Sequence, residues 1–156
     1  MTVSSVDVRP ATLTDPQVRR LLETHARRAL ANARCRQGHA LTLDDLEAES
    51  IELWSLWEGE TAVAVGALRR LDAEHGELKS MFVDDTHRGQ GLGHQLLTAL
   101  IDRAGHSGLS RLSLETGAAA YFNAARALYA AHGFAICEAF ADLPPHPDSV
   151  FMTRVL

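Results

Sequence analysis

The sequence has 156 residues, 46% of them apolar and 22% charged, the make-up of one globular domain over residues 1–156 that can bury roughly 70% of the surface its unfolded form exposes. Fifteen Lys and Arg against twenty Asp and Glu give a net charge of −5, the wrong sign for gripping phosphate backbones, so nucleic acid is excluded as the main partner. Cys35 and Cys137 fit no zinc or redox spacing and the eight histidines are scattered, which points to free thiols and no metal. No apolar run reaches the roughly 20 residues of a membrane span, and Met1 to Pro10 is no secretory leader, so the expected location is the cytoplasm, with no membrane partner.

Val6, Val8 and the turn-prone Pro10 predict a first strand. Asp15 followed by Pro16 reads as a helix N-cap with proline at N1. Val18, Leu21, Leu22, Ala26, Ala29, Leu30 and Ala33 then recur at three- and four-residue steps, the apolar stripe of an amphipathic helix stopped at Gln37-Gly38. The other positions carry Arg19, Arg20, Arg27, Arg28, Arg34 and Arg36. From Thr42 to Glu60 the chain holds acidic residues and no Lys or Arg, a pair of oppositely charged stretches that reads as solvated faces neutralising each other.

Strands follow: Ile51 to Trp57, Thr61 to Leu71 after the glycine turn Glu58-Gly59-Glu60, and Glu77 to Val83 after Asp72 to Gly76. A helix begins near Gly91, carries Leu92, Leu96, Leu97, Leu100, Ile101 and Ala104, and stops at Gly105 and Gly108. Leu109 to Glu115 reads as a strand. Ala124 to His132 reads as a helix with Gly133 at C′, and Ala135 to Phe140 and Val150 to Leu156 as two last strands around the proline-rich loop Leu143 to Pro147. There is no repeat, low-complexity tract or linker.

The most informative run is Arg88-Gly89-Gln90-Gly91-Leu92-Gly93, which follows a strand and opens a helix. Its glycines let backbone N–H groups converge, and the helix N-terminus adds partial positive charge, together a cradle for pyrophosphate. A dinucleotide fingerprint would need glycine where His94 stands, and a P-loop would need Lys-Ser/Thr where the chain has His94-Gln95. The run resembles the acetyl-CoA motif Arg/Gln-x-x-Gly-x-Gly/Ala of the GCN5-related N-acetyltransferases (GNAT). The likeness extends from the first strand to Leu128-Tyr129 and Gly133-Phe134. His75-Gly76-Glu77-Leu78-Lys79-Ser80-Met81 and Ser113-Leu114-Glu115-Thr116-Gly117 resemble a branch of small stand-alone bacterial members.

The resemblance implies an α/β (α+β) fold: a mixed, mostly antiparallel sheet of six to seven strands, splayed in the middle and flanked by about four helices. Acetyl-CoA would enter the gap between the strands Glu77 to Val83 and Leu109 to Glu115, where the backbone groups of Met81, Phe82 and Val83, left unpaired, would take its pantetheine arm as an added strand. Arg88, Gly89, Gln90, Gly91, Leu92, Gly93 and His94 would hold its phosphates. The family often has asparagine seven residues before the tyrosine of its Leu-Tyr pair. Here that place is Phe122, with Asn123 beside it, and both are carried over as neighbours of the cofactor.

Acetyl transfer to an amine needs a neutral nucleophile, a donor to the carbonyl oxygen and a proton for the departing thiolate. Deprotonating an alkyl amine of pKa about 10.4 at pH 7 costs roughly 4–5 kcal/mol, so a base is useful. The resemblance assigns that base to Glu77, with His75, Glu115 or a water chain as alternatives. Lys79, the only lysine in the sequence, shares the strand face of Glu77 and could pair with it or orient an acidic acceptor. A backbone N–H of Met81 or Phe82 would serve the oxyanion, and Tyr129 would protonate the thiolate, with Tyr121 as second choice. These roles describe an acetyl-CoA-dependent N-acetyltransferase acting on a small-molecule or amino-acid-like amine without a metal. Two alternatives stay open, a non-catalytic acyl-CoA-binding sensor module and a protein or peptide N-acetyltransferase. The family also allows a homodimer through the terminal strands.

Overall fold

The computed structural model describes residues 5–32, 51–141 and 143–156. The expected helix stop at Gln37-Gly38, Cys35 and the acidic residues before Ile51 lie outside them. Seven strands form one sheet: β1 (Val6–Pro10), β2 (Ile51–Glu58), β3 (Thr61–Arg70), β4 (His75–Val83), β5 (Arg111–Gly117), β6 (Ala135–Cys137) and β7 (Ser149–Val155). Their order is β1-β2-β3-β4-β5-β7-β6. Every pairing is antiparallel except that of β4 with β5. The α-helices among the described residues are α1 (Pro16–Ala31), α2 (Leu92–His106) and α3 (Asn123–Ala131).

Local chemistry sets these boundaries. Asp15 Oδ1 accepts from the amides of Gln17 at 2.9 Å and Val18 at 3.3 Å, with Pro16 at the first helical position, so the predicted N-cap is present. Asp72 Oδ1 accepts from the amides of Glu74 at 2.8 Å and His75 at 2.7 Å. That Asx turn closes early, and β4 starts at His75 rather than Glu77. Helix α2 runs through Gly105 to His106. β5 lies two residues later than predicted, and β6 ends at Cys137 instead of Phe140. The cause at β6 is visible: the Phe140 ring leaves the strand path to pack edge-on against Phe151 at 5.6 Å and beside His75 at 5.6 Å.

The sheet is buried on both faces at its centre. On one side Leu56, Val63, Leu68, Leu78, Leu112, Leu114 and Met152 pack against Leu96, Leu97, Leu100 and Ile101 of α2. On the other, Ala62, Val65, Ala67 and Phe82 pack against Val18, Leu21 and Leu22 of α1. A strand covered on both faces carries a continuous apolar run rather than an alternating one, as Ala62 to Leu68 does. Among the described residues no helix is long and apolar enough to cross a membrane.

A β-bulge in β4 controls what faces α1. Ala67 pairs with Lys79 and Val65 with Phe82, so Ser80 and Met81 together oppose the single residue Gly66. Ser80 takes a φ of 57° there. The extra residue shifts the alternation and brings Phe82 to the same face as Glu77 and Lys79.

Candidate active site

β4 and β5 pair only from His75 with Arg111 to Leu78 with Leu114. Beyond Leu78 the strands diverge, β5 continuing on β7 to Gly117 and β4 on β3 to Val83. The amide of Asp84 donates to Val63 O at 2.8 Å, which makes these two a hydrogen-bonded antiparallel pair. Alternation makes Val65 and Phe82 the next such pair. Phe82 therefore turns its backbone groups to β3, and Met81 and Val83 turn theirs to the gap. Of the three residues expected to be unpaired, Phe82 is not.

A cavity of about 470 Å³ occupies the gap. Its walls are Met81, Phe82 and Val83 from β4, then Arg88, Gly89, Gly91, Leu92, Gly93 and His94 from the glycine loop, and Phe122, Leu128 and Tyr129 from the α3 side. Gln90 and Asn123 are not among its lining residues. Asn123 Oδ1 instead accepts from Arg126 Nη2. Phe122 reaches the cavity because Gly117, at the end of β5, has no Cβ: one built there would strike the Phe122 ring.

The loop fits a pyrophosphate. Gly89 and Gly91 have φ of 81° and 76° and nothing within 4 Å of the place a Cβ would take. No side chain caps α2, so its first-turn N–H groups point to the cavity mouth uncapped. Arg88 Nε lies 3.3 Å from Asp85 Oδ1, and its guanidinium 5.6 Å from the Phe82 ring. Asp85 also pairs with Arg28 of α1, and that hydrogen bond holds its carboxyl below the usual range. Asp84 is lowered too, first by the hydroxyl of Thr86, which donates to it at 2.5 Å. His94 Nδ1 and His132 Nε2 are 2.8 Å apart. Burial lowers the His132 pKa first, the charges of His94 and Arg154 next.

A second, smaller chamber of about 50 Å³ lies beside the larger cavity. Glu77, Lys79, Ser80, Glu115 and Thr116 line it, and Met81, Phe122, Ala125, Tyr129 and His25 line both spaces. Glu77, on a strand start where glutamate is commonly exposed, is 1% exposed. Its Oε2 accepts from Lys79 Nζ at 2.9 Å, and Arg69 Nη1 stands 3.8 Å from its Oε1. Of the alternative bases, Glu115 lines the chamber and accepts from Ser149 Oγ at 2.6 Å. His75 lines neither space and shares a 2.6 Å hydrogen bond with Ser113 Oγ. Tyr129 lies where the two spaces meet, whereas Tyr121 lines only the larger. Burial pushes the Tyr129 hydroxyl pKa well above its ordinary value, which keeps it a proton donor.

Sequence reasoning missed His25 and Ser80. His25 stands four residues after Leu21 and four before Ala29, on the buried stripe of α1, a signal that was present. Its ring packs 5.5 Å from that of Phe82. Burial, with the charge of Arg88, lowers its pKa to about 4, so it is neutral at physiological pH. Ser80 had no signal, because nothing in the strand pattern marks a bulge. Among the described residues no group of three or more His, Cys, Asp or Glu is gathered as metal ligands.

The family model described as the Acetyltransferase (GNAT) family matches residues 18–134. The chain belongs to the GNAT family of acetyltransferases. It is 43% identical over 144 residues to the uncharacterized N-acetyltransferase YsnE of Bacillus subtilis, a match covering 92% of this chain and 95% of the relative. Its fold is similar to a crystal structure from Klebsiella pneumoniae provisionally named an acyl-CoA N-acyltransferase, at TM-score 0.81 and 30% identity, covering 99% of each chain. A GNAT acetyltransferase from Elizabethkingia anophelis, solved with acetyl-CoA bound, shares the fold at TM-score 0.71 and 22% identity over 97% of this chain and 98% of that one. In this GNAT acetyltransferase the splayed strands, glycine loop and Leu-Tyr helix thus line two neighbouring chambers that share the walls His25, Met81, Phe122, Ala125 and Tyr129.

Proposed function

We propose that the protein transfers the acetyl group of acetyl-CoA to the amine of a small-molecule or amino-acid-like acceptor by direct attack within a ternary complex, in the cytoplasm. The observation that carries this reading is the position of Tyr129 at the junction of a large, mostly apolar cavity and a small charged one. The larger space suits the cofactor: uncapped amides and Arg88 for the pyrophosphate, and the open backbone edge of Met81 and Val83 for the amides of the pantetheine arm. Acetyl-CoA supplies the thioester whose acetyl group is transferred.

The small chamber suits the acceptor. Glu77, with one oxygen held by Lys79 and the other without a hydrogen bond, takes the proton of the incoming ammonium. The Met81 N–H, directed to the gap, donates to the carbonyl oxygen as charge grows there. Tyr129, kept protonated by burial, gives its proton to the departing sulfur. The test is a broad amine panel, run beside a peptide panel and read by release of free CoA thiol. Release with small amines and not with peptides supports the reading. Release confined to peptides replaces the acceptor class, and acetyl-CoA binding without release to any acceptor makes the protein a sensor module.

A further inference from the structure

Two buried polar atoms of residues lining the small chamber make no hydrogen bond, although Arg69 Nη1 stands 3.8 Å from one of them, Glu77 Oε1. Among the described residues, Glu77 Oε1 and Ser80 Oγ are the buried side-chain polar atoms without a hydrogen-bond partner, and both residues line the same chamber. Ser80 is 8% exposed, so its hydroxyl forgoes water without gaining a protein partner. Its backbone is also strained, with φ 57° in the left-handed region that a Cβ disfavours. Glycine would satisfy that backbone at lower cost. A residue costly in both backbone and side chain persists where the surroundings use it.

What the two atoms lack defines the ligand. A carboxylate oxygen only accepts, and a serine hydroxyl can accept as well, so both are filled by one group with at least two N–H bonds. Lys79 cannot be that group, being bound to the other oxygen of Glu77. The chamber walls carry Glu77, Glu115 and Lys79, with Arg69 Nη1 3.8 Å from Glu77 Oε1, so it is the two accepting atoms without hydrogen bonds, rather than net charge, that select an N–H donor.

We propose that Ser80 Oγ and Glu77 Oε1 together receive the acceptor as an ammonium with at least two N–H bonds, Glu77 taking one of its protons and Ser80 accepting a hydrogen bond from another. This rests on the transferase reading above. The deprotonated nitrogen uses its lone pair to form the new C–N bond and then sheds its second proton, the C–S bond breaks with its electron pair going to sulfur, sulfur takes the Tyr129 proton, and the proton shed by nitrogen restores Tyr129 through solvent, so that Glu77 holds the one proton released overall. Ser80 is unchanged by the reaction. It touches the acceptor and, one residue before the Met81 amide, turns the nitrogen lone pair toward the carbonyl carbon.

The experiment compares the parent with Ser80→Gly on n-alkyl primary amines, read by free thiol. Ser80→Gly relieves the backbone and deletes only the hydroxyl, so its melting temperature should hold or rise and its acetyl-CoA affinity should stay the same. Its kcat/KM for primary amines should fall about 10- to 100-fold, the range for a hydrogen bond to a charged group. A structural role for Ser80 would instead lower stability and acetyl-CoA affinity together, and Ser80→Ala supplies the same deletion should the glycine variant not fold. Unchanged kcat/KM in either variant overturns the proposal. So does a parent that binds acetyl-CoA and acetylates no amine of the panel. A parent that does not bind acetyl-CoA overturns the transferase reading itself.

Discussion

Lys79 Nζ donates to Glu77 Oε2 at 2.9 Å from two residues along the same face of β4, and Glu77 Oε1 is left without a hydrogen bond. One oxygen is thus anchored and the other is available, which fixes the rotamer of a base without consuming its accepting capacity.

Glu77→Gln should separate these functions. The amide oxygen of glutamine still accepts from Lys79, so the fold should hold, while proton acceptance is lost. The expected loss in kcat/KM is about 10²- to 10⁴-fold at neutral pH. It should shrink as pH rises toward the amine pKa, because free amine then needs no base. Lys79→Met, by contrast, leaves a buried carboxylate with only Arg69 at 3.8 Å and should cost about 3–5 kcal/mol of stability in thermal or denaturant unfolding. A uniform loss across the pH range in Glu77→Gln would mean the residue positions the acceptor instead.

Gly91→Val should abolish acetyl-CoA binding. A Cβ at Gly91 meets nothing within 4 Å, so no protein atom opposes it, but the φ of 76° is poorly tolerated by a β-branched residue. The variant should lose on the order of 1–2 kcal/mol of stability from backbone strain and place its methyls in the pyrophosphate cradle. Calorimetry with acetyl-CoA checks it, and unchanged affinity in a folded variant would remove the loop from the site.

His25 makes stability fall on acidification. Its folded pKa of about 4 lies below the usual 6.5, so between those values the unfolded chain binds the proton more readily than the folded one. Stability is unaffected above about pH 6.5 and declines as pH falls toward 4, by on the order of 2–3 kcal/mol in all. His25→Gln should flatten that slope in urea unfolding series at pH 7, 5.5 and 4. Parallel slopes for parent and variant would show that another group titrates.

The legibility of this protein in its sequence followed the range of the forces involved. Asp15-Pro16, the Leu92 to Ala104 stripe and the glycine loop are set by neighbours within a turn or two, and each lies where the pattern puts it. The shared face of Glu77 and Lys79 follows from strand alternation. Phe82 does not, because the bulge at Ser80 and Met81 resets the alternation, and that bulge depends on Gly66 across the sheet. β6 stops short because Phe140 finds Phe151, a contact between strands that no local pattern encodes. Tyr129 already stands ahead of Tyr121 through the resemblance of its Leu-Tyr pair, and what only the structure adds is that Tyr129 lines both chambers and Tyr121 the larger alone.

Tyr129→Phe isolates the proposed acid. The Tyr129 ring packs against Phe134 with centroids 6.0 Å apart, and phenylalanine keeps that ring, so stability and acetyl-CoA affinity should change little. Loss of the proton donor should lower kcat by about 10²- to 10⁴-fold. The defect should be confined to donors whose thiolate is a poor leaving group. An aryl thioester leaves as a weakly basic thiolate that needs no proton, so it should rescue Tyr129→Phe and leave Glu77→Gln impaired, since the second variant fails at the amine and not at the sulfur. Turnover equal to the parent with acetyl-CoA would reduce Tyr129 to a packing residue, and equal rescue of both variants by the aryl thioester would show that neither residue acts at a distinct end of the transfer.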